Sequence, residues 1–111
     1  MRRKYLLVGI IALILFSCAT SRRQDYIKMH PNTNQRIKEA ILKGDILLGM
    51  TEEQVVASRG TPYKVNRTTG KYGVHEQWIM FFDKPSIFDP KSYTYAYIYF
   101  ENGRVTSWQN Y

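Results

Sequence analysis

The sequence predicts an α+β fold in which two short N-terminal helices pack on one face of a three- to four-stranded antiparallel meander. Two segments with helical apolar spacing precede Pro62, whereas β-branched and aromatic residues dominate after it. An Asn-Gly pair at residues 102–103 separates two such runs and is typical of a tight hairpin. With 111 residues the chain has room for one small core, and it is too short for a (β/α)₈ barrel.

The first predicted helix begins just after residue 32. Either Asn32 or Thr33 is expected to cap its start, and Gly44 stands where a left-handed residue commonly ends a helix. Its apolar face consists of Ile37, Ala40 and Ile41, which recur at helical spacing.

The second predicted helix follows almost at once. Thr51 and Gln54 have the spacing of a capping box, and Gly60 with Pro62 ends the helix after about two turns. The stretch between the helices, residues 46–50, is too apolar for a solvated loop. We therefore expect that stretch to pack against the core.

Four strands are predicted after Pro62, at residues 63–68, 74–82, 93–101 and 104–108. The first two are joined through a connection that contains Gly70 and Gly73, and the last two through Asn102 and Gly103. A type I′ turn needs positive φ at both central residues, which Asn and Gly adopt most readily. The last hairpin is therefore the most specific local prediction.

Side-chain alternation divides this sheet into two faces. If Ala96, Ile98 and Phe100 face the helices, the alternate residues of that strand face away, and with two residues of the neighbouring strand they form an aromatic outer face: Tyr93, Tyr95, Tyr97, Tyr99, Ile79 and Phe81. Exposed patches of this kind often bind partners, so these residues are the predicted partner-binding site. Alternatively, the tyrosines reflect strand propensity alone, or the loop at residues 83–92 covers them.

The N-terminus has the layout of a secretory signal. Arg2, Arg3 and Lys4 precede an apolar run over residues 5–16, which is shorter than the roughly 20 residues that span a bilayer. The run closes on residues 15–18, Leu-Phe-Ser-Cys, which resemble a bacterial lipobox around the only cysteine of the chain, Cys18. We expect residues 1–17 to be a lipoprotein signal peptide and Cys18 to carry covalent lipid; the alternative is a free cysteine beside an uncleaved anchor.

Residues 18–32 are predicted to be the lipidated cysteine and a flexible tether, followed by a folded domain over residues 33–111. Ala19 resembles the residue that follows the cysteine in lipoproteins sent to the outer membrane. The tether carries Arg22, Arg23 and Lys28. These cations either attract an anionic leaflet or are simply solvated.

Catalytic motifs are missing from the sequence. It contains no Gly-x-Ser-x-Gly, no His-Glu-x-x-His and no glycine-rich phosphate loop. His75 and Glu76 are adjacent on a predicted strand, so their side chains are expected to diverge. We predict no catalytic residue, no metal site, no cofactor beyond the lipid on Cys18 and no small-molecule substrate. The cations are scattered and the chain is predicted to be exported, so nucleic acid is not an expected partner.

Several short motifs resemble the SmpA/OmlA family of small outer-membrane lipoproteins. They are Gly49-Met50-Thr51, Gln54-Val55, Gly60-Thr61-Pro62, Glu76-Gln77-Trp78 and the run Phe100-Glu101-Asn102-Gly103-Arg104-Val105. The resemblance extends from about residue 49 to the C-terminus and includes the order helix, helix, meander. It implies a protein that is lipid-anchored on the periplasmic face of the outer membrane and takes part in β-barrel assembly.

Together these observations predict a non-enzymatic envelope lipoprotein that stabilises or regulates a membrane protein complex, with the β-barrel assembly machinery as the partner that the resemblance implies. The tyrosine-lined face or the last hairpin would be its docking surface. The alternative is a membrane-tethered binding or inhibitory module that acts on a periplasmic enzyme.

Overall fold

The computed structural model describes residues 19–83 and 94–110, and within them three helices precede a four-stranded antiparallel sheet. The helices are α1 (residues 19–29), α2 (Gln35–Lys43) and α3 (Glu52–Arg59), and the strands are β1 (Lys64–Gly70), β2 (Gly73–Asp83), β3 (Thr94–Glu101) and β4 (Arg104–Gln109). The sheet order is β1-β2-β3-β4. The predicted fold class is confirmed, with one helix more than the sequence indicated.

Helix α2 has a different N-cap from the two residues that the sequence favoured. Asn34, not Asn32 or Thr33, accepts a hydrogen bond on its side chain from the backbone N–H of Arg36 at 2.8 Å. The Thr33 hydroxyl instead donates to the carbonyl of His30 at 2.8 Å, just beyond the end of α1. Three adjacent residues, at 32–34, are all good caps by type, so residue type alone does not choose among them.

Two other predicted caps are confirmed. The backbone N–H of Gln54 donates to the Thr51 hydroxyl at 3.2 Å, and the Thr51 N–H donates to the Gln54 side chain at 3.0 Å, which completes the capping box. Gly44 ends α2 with a φ of 75°, in the left-handed region. Helices α2 and α3 therefore begin and end close to where their sequences predict.

The core lies between the helices and one face of the sheet. It is built from side chains that are almost fully buried: Ala40, Ile41, Met50, Val55, Ala57, Trp78, Met80, Ala96, Ile98, Phe100 and Val105. The ring centroids of Trp78 and Phe100 lie 4.6 Å apart near its centre. Within the apolar stretch at residues 46–50, Met50 is buried as expected, but Leu48 is 64% exposed.

The two hairpin turns lie side by side and are joined through Asn102. Asn102 and Gly103 have φ values of 50° and 80°, as the predicted turn requires. The Asn102 N–H donates to the carbonyl of Val74 at 2.8 Å, and its side-chain oxygen accepts from the Val74 N–H at 3.0 Å. A Cβ on Gly73, whose φ is 112°, would collide with the Asn102 side chain. This contact accounts for the glycine at residue 73.

Candidate interaction surfaces

The outer face of the sheet is arranged as the alternation predicts. Ile79 is paired with Tyr97 and Phe81 with Tyr95 across β2 and β3, so these four side chains lie on one face. Tyr99 continues the row, and the residues between the tyrosines, including Ile98, are buried on the opposite face. Tyr93 lies outside the described residues. The placement is confirmed, and the binding role of this face stays a prediction.

One end of the outer face is an aromatic cluster. The ring centroid of Tyr63 lies 4.7 Å from that of Phe81 and 6.2 Å from that of Tyr95, and the last two are 5.6 Å apart. Tyr63 is 61% exposed and Phe81 is 50% exposed. Tyr63 was not among the predicted site residues. The sequence placed it in the first predicted strand, on the same side as Val65, whereas in the structure it lies just before β1 and its ring reaches the outer face.

The other end of the outer face is polar. The Asn66 amide donates to the Gln77 side-chain oxygen at 3.0 Å, the Gln77 amide donates to the Tyr99 hydroxyl at 3.4 Å, and that hydroxyl donates to the Gln109 side chain at 2.9 Å. These bonds link all four strands. A shallow depression of about 460 Å³ lies over this end and is lined in part by the same side chains. Tyr99 therefore belongs to a hydrogen-bonded network, whereas the aromatic cluster is held by ring contacts.

A buried carboxylate lies on the opposite, core-facing side of the sheet. Glu76 is 7% exposed. The Trp78 indole donates to one of its oxygens at 2.9 Å, and the Arg67 guanidinium donates to the other at 3.1 Å. Burial alone would raise the pKa of Glu76, but hydrogen bonds from Trp78 and Glu52 and the charge of Arg67 outweigh it and hold that pKa below its usual value.

Glu52 is the fourth member of this group. It belongs to the first turn of α3, and burial together with its hydrogen bond to Glu76 and the repulsion between the two carboxyls raises the pKa of Glu52, against the opposing charge of Arg67. The two carboxyls thus titrate as a pair in which Glu52 holds the proton longer. The sequence carries one signal for this group: Glu76 shares its strand alternation with Trp78 and Met80, which places it on the core-facing side.

His75 and Glu76 diverge as expected. His75 lies on the outer face, with Nδ1 3.7 Å from a carboxylate oxygen of Glu101. Among residues 19–83 and 94–110, no cluster of three or more His, Cys, Asp or Glu side chains could hold a metal ion. In the same part of the chain, no helix is both long and apolar enough to cross a membrane.

The structure differs from the flexible tether predicted for residues 18–32. Residues 19–29 form α1, and its arginines reach the end of α3. Arg22 donates to the carbonyl of Ala57 at 3.0 Å and to that of Ser58 at 3.3 Å, and Arg23 donates to the Ser58 carbonyl at 3.0 Å. Tyr26 packs against the core. The sequence concealed this docking, because the carbonyls lie some 35 residues away and α1 has little apolar periodicity of its own.

The docked arginines belong to a cationic region that we call the basic end: Arg22, Arg23, Lys43 and Arg59. Arg59 donates to the carbonyl of Gly44 at 3.1 Å, and the Arg23 guanidinium lies directly over the same glycine. Lys43 is in the last turn of α2. Burial lowers the pKa of Arg22, and the neighbouring positive charge of Arg23 lowers it further.

Comparison of the chain with protein-family models, with curated proteins and with solved structures gives no match. The resemblance to the SmpA/OmlA family therefore rests on the short motifs of the sequence, and the family stays a prediction.

Proposed function

We propose that this chain is a non-enzymatic bacterial envelope lipoprotein, anchored to the periplasmic face of the outer membrane through acylated Cys18. It acts as an accessory subunit that stabilises a membrane protein complex, and the proposed complex is the β-barrel assembly machinery. The observation that carries this proposal is the aromatic outer face of the sheet. Tyr63 and Phe81 on it are 61% and 50% exposed.

Two properties of this face support a docking role. Tyrosine offers a large contact area and a hydroxyl on a side chain with few rotatable bonds, so ordering it in a complex costs little entropy. The ring contacts among Tyr63, Phe81 and Tyr95 already restrict these side chains in the free chain. A partner would therefore meet a preorganised apolar surface.

Helix α1, which directly follows Cys18 in the chain, and the aromatic face lie on different sides of the sheet. Tyr26 of α1 packs against the core, and Arg22 of the same helix is bonded to α3, which places the helix after Cys18 in the helical layer. Tyr97 lies on the opposite face, among the outward-pointing residues. Acylation of Cys18 would thus leave the aromatic face free to contact a membrane protein complex.

Photo-crosslinking at Tyr97 tests the proposed partner. A photoreactive amino acid replaces Tyr97 in the full chain in its native membrane, and the adducts are identified by mass spectrometry. We expect adducts with subunits of the barrel assembly machinery. The control places the same amino acid at Tyr72, which is 82% exposed in the turn between β1 and β2, and should give few of these adducts.

Other outcomes of this experiment contradict the proposal. Adducts with a soluble periplasmic enzyme would favour the inhibitory module, and a face without adducts would be a structural surface only. A second arm changes Tyr95 and Tyr97 together to serine. The complex should then be lost while the far-UV circular dichroism spectrum is kept, because both side chains lie on the outer face and outside the core.

Cys18→Ala tests the anchor. The thiol is the group that accepts the first acyl chain, and each buried methylene contributes about 0.8 kcal/mol to membrane binding. We expect the variant to lack acylated mass and to leave the outer-membrane fraction. Ser17→Ala is the matched control, since it keeps a small residue before the cysteine and should be processed normally. A Cys18→Ala chain that still carries acyl mass would refute the anchor.

A further inference from the structure

We infer that the basic end of the helical layer contacts an anionic lipid surface, so that the folded domain rests on the membrane instead of standing away from it. This inference rests on the proposed acylation of Cys18. It names a second interaction surface, formed by Arg22, Arg23, Lys43 and Arg59, on the helical side of the molecule.

The basic end begins only a few residues after the proposed anchor in the chain. Ala19 directly follows Cys18 and is already helical, and Arg22 and Arg23 come three and four residues later. A helix rises 1.5 Å per residue, so both arginines lie within about 6 Å of residue 19 along the helix axis. Because α1 is docked on α3, the anchor carries the whole basic end to the level of the lipid headgroups.

Docking on α3 uses only part of the hydrogen-bonding capacity of Arg22 and Arg23. Arg22 uses two of its five N–H groups and Arg23 uses one on the carbonyls of α3. In the described part of the chain, neither arginine forms an ion pair with a carboxylate; Asp25 is near them in sequence, and Asp45 directly follows Gly44, over which the Arg23 guanidinium lies. The remaining N–H groups suit phosphate oxygens, which guanidinium groups bind strongly.

The two arginines of α1 also have a structural role. Their bonds to the carbonyls of Ala57 and Ser58 cap the C-terminal end of α3 and offset its dipole. That role uses only part of each guanidinium and does not involve Lys43. It also holds the cations in place, so they lose little side-chain entropy when a headgroup binds. Capping and lipid contact are therefore compatible.

The test places a fluorophore at the basic end of the full, acylated chain. With Cys18 acylated, an introduced cysteine is the only free thiol. Leu42→Cys, next to Lys43, is labelled at a position that is 49% exposed, and Tyr72→Cys, 82% exposed in the β1–β2 turn, is the control. Both are reconstituted into vesicles of phosphatidylcholine, or of phosphatidylcholine and phosphatidylglycerol in equal amounts, each with a quencher on a fraction of the headgroups.

We expect stronger quenching at residue 42 in the anionic vesicles than in the neutral ones, with the difference lost in concentrated salt. The label at residue 72 should be quenched weakly and equally in both. Equal quenching of the residue-42 label in the two membranes would overturn the inference. Intact mass of the same samples reports the lipid separately: a chain without acyl mass refutes the proposed anchor, whereas an acylated chain with equal quenching refutes only the contact.

Charge variants identify the residues responsible. Arg22→Gln with Arg23→Gln should remove the difference between the membranes, and the matching pair of lysine substitutions should keep most of it. Lys43→Gln leaves every contact of α1 intact and should reduce the difference by itself. Lys71→Gln, in the distant β1–β2 turn, should have no effect. A difference that survives both the glutamine pair and Lys43→Gln would contradict the assignment.

Discussion

Truncation of Phe100 to alanine is expected to lower the free energy of unfolding by about 3–5 kcal/mol. Phe100 is 1% exposed, and its ring lies 4.6 Å from that of Trp78. Removing the ring leaves a cavity between β3 and the helices that a core of this size fills only partly by relaxation. Urea denaturation followed by far-UV circular dichroism measures the loss.

Phe81→Ala is the matched control for this prediction. It removes the same ring from the neighbouring strand, but Phe81 faces the outer side of the sheet and is 50% exposed. Its ring contacts with Tyr63 and Tyr95 are worth about 1 kcal/mol. A loss as large as that of Phe100→Ala would mean that the outer face is covered in the folded chain, which would also remove the basis for docking there.

The strands and their turns were predictable because their signals are local. Asn102 and Gly103 supply two consecutive positive φ values, and no other short loop of this chain combines those residue types between two apolar runs. The capping box of Thr51 and Gln54 likewise depends on residues three apart. In such places propensity, pattern and turn chemistry favour one structure, so the sequence alone suffices.

The features that the sequence analysis missed depend on partners far along the chain. Helix α1 looked like a tether because its own pattern is weak, and the Arg22 contact that orders it joins residues 35 positions apart. For a similar reason, the place of Tyr63 in the aromatic cluster was not predicted. Its ring meets Phe81 only after β1 and β2 have paired, and no spacing within residues 60–65 indicates that contact.

The placement of the outer face could be predicted, but its division could not. Alternation assigns Tyr95, Tyr97 and Tyr99 to one side of β3 equally. Tyr99 is hydrogen-bonded to Gln77 and Gln109, which belong to two other strands. These side chains meet only because the strands pair in the register that the hairpin turns set. The sequence therefore predicted a uniform tyrosine face, whereas the structure has an aromatic end and a hydrogen-bonded end.

Glu76→Ala is expected to lower the free energy of unfolding by about 2–4 kcal/mol at neutral pH. The carboxylate accepts from the buried Trp78 indole at 2.9 Å and pairs with Arg67 at 3.1 Å. Its removal leaves the indole N–H without an acceptor in the core, which costs more than the hydrogen bond itself contributes. Glu101→Ala is the matched control: that carboxylate is 58% exposed and lies 3.7 Å from His75, so its loss should cost less than about 1 kcal/mol.

The pH dependence separates charge from packing in this variant. The pKa of Glu76 is lowered from 4.5 in the folded chain, so its stabilisation is complete above that pH and is lost as pH falls through the folded value. Glu52 acts in the opposite sense: its raised pKa favours the folded chain at low pH, and this contribution is lost as pH rises above 4.5. Burial is the largest cause of the raised pKa of Glu52 and Glu76 supplies only part of the shift, so the alanine variant loses the pH dependence of Glu76 and only weakens that of Glu52. The free energy of unfolding that Glu76→Ala loses should therefore be largest at neutral pH and should shrink below pH 4.5. A loss of equal size at about pH 3 and pH 7 would show that packing, not the charge of the carboxylate, stabilises this end of the core.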